Sequence, residues 1–233
     1  MIDKPVMIIT GTRKGIGKYL AEYYTEKGFI VIGCSRGDID FALNNYQHYC
    51  LDVCDESLLK KMFREIRKKH GRLDVLINNA GMASMNHVLL SPLKRTQDII
   101  NTNFIGTFLF CREAGKIMKK RNHGRIINFT SVGTKLKIEG EAVYTASKAA
   151  VENFTEVLSR EYSKFGITVN AVGPTPVKTD LIRSVPKEKI ENITKRQAIN
   201  RLTENKDISN VTDFFIKYES EFITGQIIYL GGA

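Results

Sequence analysis

Cysteine and histidine are scarce in this chain of 233 residues, four of each, and their spacing excludes most metal and thiol chemistry. Cys34, Cys50, Cys54 and Cys111 form no C-x-x-C pair and have no histidine at zinc-finger distance. They read as small apolar residues in a reducing compartment, not as a disulfide framework or a zinc site. His48, His70, His87 and His123 are scattered over what read as loops and helix ends, which leaves no metal site and no histidine-assisted nucleophile. No apolar run approaches the roughly 18 residues of a spanning helix. The stretch 103–111 is broken by Gly106 and polar residues. Internal repeats, linker-like composition shifts and low-complexity basic tails are also missing. A glycine turn begins at Gly11 and needs the apolar run 6–9 to feed it, so no signal peptide is expected and the expected compartment is the cytoplasm.

What is present, 42% hydrophobic and 26% charged residues, describes a soluble chain forming one domain over residues 1–233. A chain of this length buries a core without metal or disulfide staples. Lys+Arg 35 against Asp+Glu 25 leaves a formal charge of +10, which favours anionic partners: nucleic acid, acidic protein, anionic membrane or a phosphorylated ligand. The sign of the charge does not choose among them. The clusters Arg67-Lys68-Lys69 and Lys119-Lys120-Arg121 fall where helices end, and cations there are stabilising without any ligand.

Short apolar runs alternate with longer amphipathic segments, the pattern of βαβ units. Strands are expected at 6–10, 29–33, 46–51, 75–78, 124–129, 168–172 and 226–230. Helices are expected at 16–27, 56–70, 92–120, 144–165, 187–199 and 208–217. The implied fold is a single-domain α/β structure of Rossmann type, a doubly wound parallel sheet with helices on both faces.

Thr10-Gly11-Thr12-Arg13-Lys14-Gly15-Ile16-Gly17 ends the first strand and opens the first helix. A glycine turn there lets backbone approach a pyrophosphate, and the helix start offers unpaired N–H groups. The strand–turn–helix setting, more than the glycines, marks a dinucleotide site. Together with Asn78-Asn79-Ala80-Gly81, this spacing resembles the short-chain dehydrogenase/reductase family. Ser131 follows the strand that ends at Phe129, Tyr144 comes thirteen positions later, and Lys148 is four beyond it. The resemblance spans nearly the whole chain.

Tyr144 and Lys148 at i and i+4 share one helix face. A free phenol has a pKa near 10, and a neighbouring ammonium favours the phenolate, so Lys148 is expected to lower the Tyr144 pKa and make it a usable general acid/base. Ser131 offers a hydroxyl to the oxygen where charge develops. Outside this setting, a Tyr-x-x-x-Lys pair is an ordinary solvated helix face. The resemblance implies that Asn103 supports a proton relay, although a polar residue inside a helix can also simply bond backbone. It further implies that Asn78 braces the central strands, that Asn79, Ala80 and Gly81 border the adenosine half of the cofactor, and that Asp52 and Val53 contact the adenine. Pro174, Val177 and Thr179 match the nicotinamide side, but Thr175 stands where glycine is usual. A β-branched residue resists positive φ, so that turn is expected to differ.

Ser35 occupies the place where NAD-preferring members carry aspartate, and Arg36 follows at once. A guanidinium suits a 2′-phosphate, and Arg13 and Lys14 add charge on the adjacent turn. NADP(H) is therefore the expected cofactor; Asp38 and Asp40 come too late in the loop to outweigh this. Lys135, Lys137, Arg183, Lys187, Lys189, Lys195, Arg196 and Arg201 make the substrate-side segments basic. That is either a solvated face or a handle for an anionic substrate.

Within the family the chain is most similar to the 3-oxoacyl-acyl-carrier-protein reductases, through Gly124-Arg125-Ile126-Ile127-Asn128 and Gly166-Ile167-Thr168-Val169-Asn170. Phe165 departs from them where a docking cation is usual. The expected activity is NADPH-dependent reduction of a ketone, with a carrier-linked or other anionic substrate. A nucleotide-linked sugar or secondary-metabolite ketone is the alternative, and a non-catalytic dinucleotide-binding protein or a nucleic-acid binder the readings of other classes. Family resemblance also implies a homotetramer or dimer built on the two long helices. A serine-hydrolase reading fails because Ser131 has no Gly-x-Ser-x-Gly elbow.

Overall fold

The computed structural model describes residues 4–177 and 187–232. Seven strands form one sheet: β1 (Val6–Thr10), β2 (Ile30–Ser35), β3 (Tyr46–Cys50), β4 (Val75–Asn78), β5 (Gly124–Phe129), β6 (Ile167–Gly173) and β7 (Ile227–Tyr229). Their order is β3-β2-β1-β4-β5-β6-β7, and every pairing is parallel. Parallel neighbours require crossovers, supplied by α1 (Gly15–Glu26), α2 (Glu56–His70), α3 (Leu93–Ile100), α4 (Gly106–Met118), the single turn α5 (Gly133–Leu136), α6 (Ala142–Ser163), α7 (Lys187–Lys195) and α8 (Asn205–Ile216).

The strand period of two distributes the core. Val6 and Ile8 of β1, with Ile32 and Leu76, face α2, α4 and α6 through Leu59, Met62, Phe110 and Leu158. Met7 and Ile9, with Val31 and Ile77, face α1 and α8 through Leu20, Tyr24, Ile208 and Phe215. Central strands buried on both faces read as continuous apolar runs, which is why β1 and β4 were legible to the residue.

The expected helix over 92–120 is not one helix. A π-turn at Asn101–Ile105 separates α3 from α4, and a 3₁₀ turn at Lys119–Arg121 ends the segment. The wider turn places Asn103, fully buried, against the main chain of Met82. Helix α8 starts at Asn205, three residues earlier than expected. Glu204 and Asp207 close a capping box, a start signal missed because the cap is glutamate. The turn α5, unexpected from periodicity, is too short to show any. Among the described residues no helix is long and apolar enough to cross a membrane.

Helix α2 has the clearest local signals. The Asp55 side chain accepts from Leu58 N at 2.9 Å, and Gly71 at φ 66° ends the helix in the left-handed region. Replacing Asp55 by alanine is expected to cost about 1 kcal/mol in urea unfolding while leaving dinucleotide affinity unchanged.

Candidate active site

Strand β1 pairs with β2 on one side and β4 on the other, and the chain leaves β1 and β4 for opposite faces of the sheet. A crevice must open at the carboxyl ends of those strands. A cleft of about 510 Å³ lies there, lined by Gly11, Arg13, Lys14, Gly15, Ile16, Ser35, Arg36, Asp52, Val53, Asn79, Ala80, Gly81, Tyr144, Lys148 and Pro174. Met82, Arg95, Thr102 and Thr130 also line it, and the motif reading had not included them.

At one end, Gly11 (φ 76°) and Gly15 (φ 60°) turn the chain into α1, whose amino terminus has no side-chain cap. The cap residue Lys14 thus makes no side-chain cap hydrogen bond to the first turn of α1, a helix start suited to an anion. Gly17 does not line the cleft; it lets the helix meet the turn, since a Cβ there would sit 2.2 Å from Gly11 O. Asn79 Nδ2 donates to Thr10 O at 2.9 Å, and Thr10 Oγ1 accepts from Asn79 N and Ala80 N, so the two turns are one rigid wall. Asn78 Nδ2 donates to Asn128 Oδ1 at 2.9 Å, bracing β4 against β5. Asp52 Oδ1 accepts from Cys54 N, shaping the turn beside Val53.

Beyond β2, Ser35 Oγ donates to Gly37 O at 2.7 Å and lies 2.9 Å from His48 Nε2. His48 sits mid-strand in β3, not in a loop, and its Nδ1 lies 2.8 Å from Tyr46 Oη, which donates to Thr12 Oγ1. The alternation of Tyr46 and His48 along β3 was the available signal for this chain of contacts. The Arg13 guanidinium packs on Gly37, which brings a second cation to the turn that carries Arg36.

At the other end, β5 and α6 bring Ser131, Tyr144 and Lys148 together. Ser131 hydrogen-bonds Tyr144, and its Oγ accepts from Gly133 N at 3.1 Å. Lys148 is 4% exposed, and its ammonium donates to Phe129 O at 2.8 Å, 6.0 Å from the Tyr144 ring centre. The expected lowering of the Tyr144 pKa is corrected by this geometry. Burial pushes the phenol up to about 12 against the Ser131 hydrogen bond, and burial pushes Lys148 down to about 8 against the Glu152 charge. The ammonium is turned to a carbonyl, and desolvation is the largest cause of each shift. Asn103 does bond backbone: Oδ1 accepts from Met82 N at 2.7 Å, and Nδ2 donates to Met82 O and to Ser147 Oγ. Its Oδ1 and the Lys148 ammonium lie on the same side of Gly81, 3.4 and 3.5 Å from where a Cβ would stand.

Thr175 is buried without positive φ, its hydroxyl 2.6 Å from that of Thr203, so the turn does differ from a glycine turn. Val177 is buried and bridges Thr203 instead of lining the cleft. Thr179 and Arg183, and the side chains of Lys187 and Lys189, lie outside the described residues. Of the basic side chains, Lys135 lies over the Tyr229 ring, Arg196 donates to Leu136 O, and Arg201 is paired with Asp207 through two nitrogens. These contacts reduce the proposed anion handle, since the three cations have partners within the protein. Among the described residues no group of three or more histidine, cysteine or acidic side chains could hold a metal ion.

Fold and cleft together define a Rossmann-type oxidoreductase that binds a nicotinamide dinucleotide. A family model described as Enoyl-(Acyl carrier protein) reductase matches residues 11–232. The chain is 31% identical to the 3-oxoacyl-acyl-carrier-protein reductase FabG of Escherichia coli (strain K12), over 97% of this chain and 96% of that one. Among solved structures, aldohexose dehydrogenase of Thermoplasma acidophilum superposes with a TM-score of 0.90 at 28% identity, covering 98% of this chain and 93% of that one. ElxO with NADP bound gives 0.89 at 30% identity, with 97% of each chain covered. A 4-hydroxyisoleucine dehydrogenase complexed with NADH gives 0.86 at 25%, with 98% of each covered. The chain belongs to the short-chain dehydrogenase/reductase family.

A Cβ at position 17 would meet backbone on the turn, so the turn must move to admit it. Gly17→Ala is expected to weaken dinucleotide binding at least about tenfold, read by quenching of nucleotide fluorescence, while circular dichroism remains that of the parent.

Proposed function

We propose that this protein is an NADPH-dependent carbonyl reductase whose substrate is a ketone on an anionic carrier, a 3-oxoacyl thioester of acyl-carrier protein or coenzyme A. The observation that carries the reading is that Tyr144, hydrogen-bonded by Ser131, and Lys148 line one end of a cleft whose other end is the glycine turn with Arg13 and Arg36. The residues fit a dinucleotide: the uncapped start of α1 suits a pyrophosphate, and the two guanidiniums suit a 2′-phosphate. When bound, the reduced nicotinamide supplies a hydride to the substrate carbon.

Tyr144 donates its proton to the carbonyl oxygen as charge develops there. Ser131 donates a hydrogen bond to the same oxygen and orients the carbonyl. A phenol pushed up to about 12 holds its proton near neutrality, which suits the acid role in the reductive direction. The Lys148 ammonium stabilises the phenolate left behind and holds the nicotinamide ribose. Asn103 orders the path by which the proton is replaced through Lys148. Pro174, which lines the cleft, stands on the nicotinamide side.

FabG-like relatives favour the acyl-thioester substrate, and ElxO with NADP favours the phosphorylated cofactor. The aldohexose dehydrogenase neighbour favours a second reading, in which the substrate is a sugar. Ile105, Phe108 and Val157 are exposed apolar residues on and beside α4 and α6, and they support assembly as a tetramer or dimer through those helices. Four free cysteines and a reductive role fit a cytoplasmic location.

Two measurements test the reading. Oxidation of NADPH, with NADH in parallel, is followed against acetoacetyl-coenzyme A, acetoacetyl-acyl-carrier protein and aldohexoses. Turnover of a thioester with NADPH, reduced about 10²- to 10⁴-fold in Tyr144→Phe, is the expected result; turnover of the sugar alone selects the second reading. Ser35→Asp is expected to move the preference toward NADH, because a carboxylate there repels the 2′-phosphate and accepts from a 2′-hydroxyl. An unchanged NADPH preference in that variant removes Ser35 from the cofactor site.

A further inference from the structure

Glu152 stands one helical turn beyond Lys148 on α6, so Tyr144, Lys148 and Glu152 occupy i, i+4 and i+8 on one face. Its Oε1 accepts two hydrogen bonds, from Thr130 Oγ1 at 2.5 Å and from Thr134 Oγ1 at 2.7 Å. Both threonines are 3% exposed, and they flank Ser131 in sequence. The Thr134 hydroxyl also lies 2.9 Å from Ser131 O and 3.4 Å from Tyr229 Oη, and burial, with Glu152 adding to it, pushes the Tyr229 phenol above its ordinary range against the Thr134 hydrogen bond. One carboxylate therefore ties the segment that carries Ser131 to the helix that carries Tyr144 and Lys148.

We propose that Glu152 is a positioning residue of the reaction centre, holding the 130–134 segment in register with α6 and setting a carboxylate one helical turn from Lys148. The proposal deepens the reductase reading above and rests on it for the roles of Ser131 and Lys148. Lys148 has the Phe129 carbonyl as its hydrogen-bond acceptor on β5, and Asn103, a neutral amide, across Gly81. Tyr144 precedes it on α6, with Glu141 acting on that phenol. Tyr229 on β7 faces the carboxylate side, and the Lys135 ammonium lies over its ring at 4.9 Å. Against burial, the countervailing influence on Lys148 is the Glu152 charge. Two roles are thus carried by one group: the oxygen atoms align Ser131, and the negative charge favours the protonated lysine.

The same network reaches the substrate-side segment. Val132 and Leu136 pack with Ile193 of α7, and Arg196 donates to Leu136 O at 2.6 Å. The Glu152–Thr134 contact therefore also bears on where α7 packs against the 132–136 segment.

Glu152→Gln separates the two roles, because its amide oxygen still accepts from the threonines while the charge is gone. The Lys148 titration is read directly by NMR of the full-length protein labelled with ¹³C-lysine, with Lys148→Met identifying the signal. In the parent the midpoint is expected near 8. In Glu152→Gln it is expected to fall by about one pH unit. The alkaline limb of acetoacetyl-coenzyme A reduction should move to lower pH by the same amount, because deprotonation of a lysine with a lower pKa begins earlier as pH rises. Thr134→Val leaves the charge and removes one contact, so it should lower kcat with the limb in place. A merely structural carboxylate would scale rates at all pH values and leave the lysine midpoint of Glu152→Gln where it was, and that outcome overturns the proposal. If the parent does not reduce acetoacetyl-coenzyme A, the substrate reading fails, and the lysine titration still decides the role of Glu152.

Discussion

The junction of β1 and β4 is the constraint on which the rest of this molecule depends. Parallel strands need crossovers, and right-handed crossovers leaving these two neighbours must run to opposite faces of the sheet. Helix α1 packs on the Met7 and Ile9 side, and α4 packs on the Val6 and Ile8 side. Between them lies the cleft, which collects residues from the turns after β1 and β4, the start of α1, the ends of β2 and β5, and α6. Glycines at 11, 15 and 17 follow from that constraint, because the chain must reverse and enter a helix within a few residues while Gly17 lies almost on Gly11 O.

The chemistry of the site is set by competition between burial and pairing. Lys148 is nearly inaccessible, and its ammonium takes a main-chain carbonyl instead of the Tyr144 oxygen. Under those circumstances burial moves the phenol pKa up and the ammonium pKa down, each toward favouring its own neutral form. The protonated phenol is the form an acid needs.

A good deal of this was legible from local pattern. Strands β1, β4 and β5 and helix α2 were placed to the residue, because doubly buried strands are continuously apolar and α2 carries both a cap and a terminating glycine. The π-turn at Asn101–Ile105 was not legible, since one inserted residue leaves the apolar spacing of a long helix nearly intact. Most of the expected dinucleotide residues do line one cleft. Val177 and Gly17 stand behind it, and the basic segment proposed as an anion handle has much of its charge engaged by Tyr229, Leu136 and Asp207. His48 was set aside as a loop residue, yet β3 brings it against Ser35, thirteen positions away in the chain.

By itself, the sequence determined the α/β architecture, the glycine turn at the head of α1 and the shared face of Tyr144 and Lys148, because each depends on periods of two or 3.6 residues and on backbone freedom at single positions. Only the tertiary structure decided which way the Lys148 ammonium points, how burial shifts its proton and that of Tyr144, and that Glu152 and His48 stand behind Ser131 and Ser35. Those outcomes depend on distances and solvent exclusion between segments far apart in the chain, and no local spacing carries that information.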